Sequence, residues 1–357
     1  MLLSALGFPL ETVLVFAALS LGAMAIDLFA HRDNHTISLK SAAWWSVFWI
    51  LISLAFGGYL WWHHGGEMAS LFFTGYALEK VLSVDNLFVM MAIFSWFNIP
   101  EHLCHRVLYW GIIGAIVFRM VFVALGVGLM SLHPLVELLF AVAVGASGYF
   151  MMQNNEQHDE EEDYSQHIAY RWVHKFFPVF PKLHGDYFFL RGDTLAAARA
   201  AHPDTKLELA GEHTTNKKLN RPKKLTPNAW VATPLFLCLA VIELTDVMFA
   251  FDSVPAVIAV SREPLIVYSA MMFAILGLRT MYFVLEALKA YLVHLEAAVC
   301  ILLYFIAFKL ALSASNHLFH HGWQISPNSS LVVVILVLVA GVVASLLFPQ
   351  NQWDIED

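Results

Sequence analysis

Charge is scarce in this sequence: Asp, Glu, Lys and Arg make up 13% of its 357 residues, against 59% hydrophobic. That balance excludes an ordinary soluble globular domain, in which about a quarter of residues are charged. Cysteine is scarce too. Cys104, Cys238 and Cys300 cannot build a disulfide framework or a Cys-rich metal site, and within apolar runs a cysteine is generally a small buried hydrophobe. There is no glycine-rich phosphate loop, no cofactor motif, and no Ser/His or Cys/His arrangement with local support, so an enzyme is not expected. The net charge of −8 gives no reason to expect nucleic acid. No basic residue precedes the first apolar segment and no small-residue cleavage pattern follows it, so that segment is expected to be a retained helix.

What the sequence has instead is long apolar runs. A hydrocarbon core of about 30 Å needs roughly 20 apolar residues per helix, and nine stretches supply them, near 9–30, 41–62, 68–97, 106–131, 134–152, 229–260, 265–288, 291–312 and 330–348. Continuous runs exclude a β-barrel, and lipid leaves helices as the other spanning structure. The expected fold is all-α, a polytopic membrane helix bundle. Basic residues set its orientation. Connections after helices 1, 3, 5 and 7 hold Arg32, Lys40, Arg106, eleven Lys and Arg between 153 and 228, and Lys289, whereas the others hold only Arg262. The first set is therefore expected to be cytoplasmic, with the N-terminus outside and the C-terminus inside.

The chain also repeats itself. Glu79 and Asp85 are six residues apart, as are Asp246 and Asp252. Downstream, "AIVFRMVFVAL" around Arg119 resembles "AILGLRTMYFVL" around Arg279, and Glu137 in "LVELLF" matches Glu296 in "HLEAAV". Four ordered charge matches in apolar helices define two three-helix repeats. An odd number of spans per repeat inverts the second, the arrangement of many secondary transporters. The expected organisation is peripheral helices 1 and 2 in 1–67, repeat 1 in 68–152, a cytoplasmic polar loop in 153–228, repeat 2 in 229–312, and a last helix with an acidic tail in 313–357. The loop opens on the acidic "NNEQHDEEEDYSQH", which reads as a solvated face or a partner dock. It continues through the aromatic "RWVHKFFPVFPKLHGDYFFL", which suits a membrane surface or the underside of the bundle.

An ionised carboxylate inside the bilayer costs several kcal/mol and is retained where it meets a partner, an ion or a water-filled cavity. The duplicated spans contain five: Glu79, Asp85, Glu243, Asp246 and Asp252. Structural salt bridges are one reading, with Lys80, Arg119 and Arg279 as charge partners. Five acids against three bases leave two negative charges, which suits one divalent cation. Asn86 and Ser253, each beside a key Asp, are the natural neutral ligands. Such hard oxygen donors fit Mn²⁺, Ca²⁺ or Mg²⁺ better than Zn²⁺ or Cu⁺. A six-residue interval puts two side chains some 120° apart on a regular helix. Pro255 in "FDSVP" is expected to break its helix, and two broken helices are expected to meet at the midplane. Glu137 and Glu296 are candidate proton carriers or buried pairs. Asp27 and Glu286 have open roles.

The blocks "TGYALEKVLSVDNLFVMMAIFSWF", "ELTDVMFAFDSVPAVIAVSREP" and "FAILGLRTMYFVLEAL" resemble the signature blocks of the TerC family. The likeness extends from "GFPLETVLVF" to the last span. It implies a bacterial inner-membrane protein associated with tellurite resistance, encoded with soluble resistance partners and related to manganese exporters. Carried over by position, the family's acidic motifs fall on Glu79, Asp85 and Asn86, and on Glu243, Asp246, Asp252 and Ser253. The expected function is export of a divalent cation, Mn²⁺ before Ca²⁺, held as bound substrate with no prosthetic group. The alternative is a membrane scaffold that recruits soluble tellurite-resistance proteins through 153–228.

Overall fold

In the computed structural model of the chain, the described residues are 8–30, 38–130, 133–154, 164–205, 207–208, 229–288, 295–320 and 322–347. Helices dominate them. Five come first: α1 (Leu10–Ala30), α2 (Leu39–His64), α3 (Gly66–Trp96), α4 (Glu101–Met130) and α5 (Pro134–Asn154). A small intervening unit holds α6 (Ile168–Phe176) and α7 (Asp193–Ala201). The second set comprises α8 (Pro234–Val260), α9 (Pro264–Ile275), α10 (Leu278–Leu288), α11 (Leu295–Phe319) and α12 (Pro327–Leu347).

Among the described residues, each of the nine apolar stretches is mostly helix. Six helices, α1, α2, α4, α8, α11 and α12, are long and apolar enough to cross a membrane, and the bent pair α9–α10 makes a seventh. The apolar part of α5, Leu135–Tyr149, is shorter. The 31-residue α3 carries Glu67, Glu79, Lys80 and Asp85 in its run. Outward faces remain apolar, with Leu139 66% and Leu336 62% exposed, as lipid-facing helices require. The chain is an all-α polytopic membrane protein.

Local signals set the helix starts. Ser38 Oγ accepts from the Ser41 amide at 3.3 Å and opens α2. Thr233 caps α8 by accepting from Phe236 N, with Pro234 at the first helical position, where the missing N–H costs nothing. Inside the bundle, Phe56, Phe72 and Phe273 bring α2, α3 and α9 together around one aromatic cluster.

The expected break at Pro255 does not occur. Helix α8 runs through it from Pro234 to Val260, and α3 is continuous as well. Proline removes one backbone hydrogen bond, and neighbouring helices make that tolerable in a membrane helix. Here Val254, Ala256, Val257 and Ile258 are all fully packed, so the helix is clamped on both sides of the ring. The bend lies elsewhere, a 54° turn between α9 and α10. Gly277 makes it, with φ of +75°, a region that glycine adopts without steric cost. Any Cβ there would overlap the Trp49 indole.

Part of the 153–228 loop is folded under the bundle. Strands β1 (Phe189–Leu190) and β2 (Val231–Ala232) pair antiparallel, and Phe180, Leu190, Leu195, Ala198 and Val231 form their own small core. Helix α6 packs on α8. The acidic run 156–163 and the basic residues 217–224 lie outside the described residues.

Candidate functional site

Glu79 of α3, Arg119 of α4 and Asp246 of α8 meet in the interior. The Arg119 guanidinium contacts the Glu79 carboxylate through Nη1, and its Nη2 lies 3.4 Å from Asp246 Oδ1. All three are buried, at 0%, 2% and 4% exposure. The sequence folds this way because α4 lies along α8 and α3 crosses both α8 and α9. One arginine on α4 thus reaches acids on both α3 and α8. Asn86 and Ser253 stand two turns beyond Glu79 and Asp246 on the same helix faces, and both are buried.

Glu243 lies one turn before Asp246. Its carboxylate fills the place a side chain at Gly114 would take, since a Cβ there would overlap both of its oxygens. Gly114 on α4 is therefore what admits an acid at this position, and nothing in its local sequence marks that role. Glu79 Oε2, Glu243 Oε2 and Asp246 Oδ2 are each buried without a hydrogen-bond partner. Three carboxylates against one guanidinium leave two uncompensated negative charges if all are ionised. Buried acceptors without donors are costly, and these three oxygens are hard donors.

The other two bases are not there. Lys80, expected to neutralise the acids, donates its ammonium to Ala274 O and Leu276 O, both at 3.1 Å. Arg279, expected to match Arg119, donates to the Asp27 carbonyl at 2.5 Å and lies 3.9 Å from its carboxylate. The reason is register: Lys80 is 100° round α3 from Glu79, and Arg279 follows the α9–α10 bend toward α1. Sequence reasoning left Asp27 without a role. Its partner is 252 residues away, and no local pattern encodes that contact.

Glu137 is a buried pair. It accepts from Arg262 Nη2 at 2.5 Å and lies 3.2 Å from His317 Nδ1. The side chains of Asp85, Asp252 and Glu296 lie outside the described residues. Among the described residues, no three acidic, histidine or cysteine groups stand close enough to hold one metal ion. Arg119 occupies the place between Glu79 and Asp246. The two helix breaks expected to bring the acids together do not occur, since α3 and α8 are both continuous.

Comparison with known proteins agrees with the architecture. Residues 64–352 match the integral membrane protein TerC family. The chain is 62% identical over 344 residues to the tellurium resistance protein TerC of Serratia marcescens, covering 96% of each. It is 61% identical over 346 residues to the protein of that name from an Alcaligenes species, covering 97% of this chain and 96% of the relative. A Myxococcus xanthus membrane protein of uncharacterized function is 32% identical over 334 residues, 93% of this chain and 91% of its own. No solved structure matches. The chain belongs to the TerC family of integral membrane proteins.

Proposed function

We propose that the chain exports a divalent metal cation, Mn²⁺ in preference to Ca²⁺, from the cytoplasm across a bacterial inner membrane, and that this transport underlies an association with tellurite resistance. The observation that carries the reading is the set of three buried carboxylate oxygens without partners on Glu79, Glu243 and Asp246. Glu79 and Asp246 share one guanidinium and Glu243 lies one turn before Asp246, and ion binding is a reason for a hydrophobic bundle to retain such acids. In this reading Arg119 is an internal counter-ion. It neutralises Glu79 and Asp246 while no metal is present, and it withdraws when a dication takes their oxygens. Asp85, Asn86, Asp252 and Ser253 complete the ligand set from the same helices. Mn²⁺ is accommodated by mixed carboxylate and amide oxygens, and Ca²⁺ by the same donors at longer range.

Helix partners support an inverted repeat. With α3, α4 and α5 as one unit and α8, α9–α10 and α11 as the other, α4 lies on α8 and α9 lies on α3. The pairs α3 with α8 and α5 with α11 map onto themselves when the units are exchanged. Any twofold relation between the units gives this pattern, and an odd number of spans per unit would put the axis in the membrane plane, with the acids where the units meet. The tellurium link comes from the names of the Serratia and Alcaligenes relatives.

The test is Mn²⁺ uptake into everted or reconstituted vesicles. Asp246→Asn and Asp85→Asn should each remove it while the protein still folds, and undiminished flux in both variants refutes transport through this site.

A scaffold is the second reading, favoured by the folded unit beneath the bundle and its outward Trp172 and Phe176, 61% and 66% exposed. Deleting Glu156–Asp163 separates the two. A scaffold loses recovery of soluble partners, and a transporter keeps its flux.

A further inference from the structure

We propose that the carbonyl end of α9 is a monovalent-cation site that the chain fills with its own side chain, the Lys80 ammonium, and so locks α3 to the α9–α10 bend.

Helix α9 stops at Ile275, Gly277 turns the backbone at φ +75°, and α10 restarts at Leu278. The last carbonyls of a helix have no intrahelical donor. They also carry the negative end of its dipole. In water they would be hydrated. Here Ala274, Ile275 and Leu276 are at most 4% exposed, so a buried donor must serve them. Lys80 Nζ does so, at 3.1 Å from both Ala274 O and Leu276 O. Carbonyls at the C-terminal end of an interrupted membrane helix are the donors that hold alkali ions in other folds. An ammonium is a monovalent cation of comparable size that brings its own tether.

The bend is pinned on its far side as well. Two residues past Gly277, Arg279 is held by Asp27 of α1, and Thr280 Oγ1 donates to Gly277 O at 2.9 Å. Lys80 is therefore the one cationic group that α3 contributes to this junction. It is a positioning residue for Glu79, its neighbour in sequence, because withdrawing it removes the polar tie between α3 and the α9–α10 bend. This inference stands apart from the metal reading, since Lys80 is held by backbone carbonyls and not by Glu79, Glu243 or Asp246, and its test contains no divalent ion.

The experiment is thermal unfolding of the purified full-length protein in chloride salts of choline, Na⁺, K⁺ and methylammonium at equal ionic strength. Wild type should unfold at one temperature in all four. Lys80→Ala should unfold several degrees lower in choline and recover at least half of that loss in Na⁺, K⁺ or methylammonium, which fit the vacated space. Lys80→Met, which fills the space without charge, should stay low in every salt. Lys80→Ala that unfolds with wild type, or that is blind to the cation, overturns the proposal. Should Lys80→Ala fail to fold, solid-state NMR of wild type in bilayers decides. A dipolar coupling from Lys80 ¹⁵Nζ to the Ala274 and Leu276 carbonyl carbons is expected, and its absence overturns the proposal.

Discussion

Arg119 and Arg279 lie in similar apolar segments, "AIVFRMVFVAL" and "AILGLRTMYFVL", and the fold gives them different company. Arg119 lies between Glu79 and Asp246, one acid from each helix set. Arg279 is taken by Asp27 on α1, which belongs to neither. The lesson is that a first-helix acid takes one of two arginines whose local sequences are alike. Had both arginines faced the acids, Glu79, Glu243 and Asp246 would leave one negative charge if all were ionised, in place of two. Because Asp27 on α1 takes the other, three acids are left with one guanidinium, and any surplus of ionised carboxylate is what a dication would meet.

Removing either arginine tests that contrast, and the largest effect should come from Arg119. Arg119→Ala leaves two buried carboxylates unpaired and should cost about 3–5 kcal/mol, the usual penalty for breaking a buried ion pair. Thermal unfolding in detergent measures it. Arg279→Ala removes one charged hydrogen bond and a 3.9 Å ion contact, for about 1.5–3 kcal/mol. Added Mn²⁺ should restore stability to Arg119→Ala and leave Arg279→Ala unchanged. Equal rescue of both would erase the distinction drawn between the two sites.

Gly114 sharpens the comparison at the third acid. Gly114→Ala places a methyl where the Glu243 carboxylate lies, an overpacking worth about 1–3 kcal/mol. The cost should vanish in the double variant with Glu243→Ala, because contacting residues are not additive. An additive double mutant cycle would show that Glu243 does not depend on Gly114.

The smallest effect should come from Glu137→Gln. Glu137 is buried, but its Arg262 partner is 52% exposed, so solvent screening holds the loss to about 1 kcal/mol. That loss should shrink in high salt. Salt-independent destabilisation of a larger size would mean that this pair is as sheltered as the interior one.

Much of this was legible in the sequence. Apolar runs gave the helices, and carboxylates within them marked Glu79 and Asp246 because ionised groups in a bilayer need partners. The bend was misplaced. Pro255 carries a strong local signal, yet tight packing on both sides keeps α8 helical, whereas Gly277 carries a weak one that matters only because Trp49 lies against it. Charge partners were the least legible. Nothing near Lys80 names the carbonyls of residues 274 and 276, and nothing near Arg279 names Asp27. Those pairings are decided by helix rotation and packing, not by local pattern. Gly114 was invisible for the same reason, since its role is defined by a side chain on another helix.

The most direct test of the central claim is equilibrium Mn²⁺ binding to the purified full-length protein, compared with Glu79→Gln and Asp246→Asn. One Mn²⁺ per chain is predicted, with affinity at least about tenfold weaker in each variant, the equivalent of about 1.4 kcal/mol. Binding that is absent from wild type, or undiminished in both variants, contradicts a dication held by these acids.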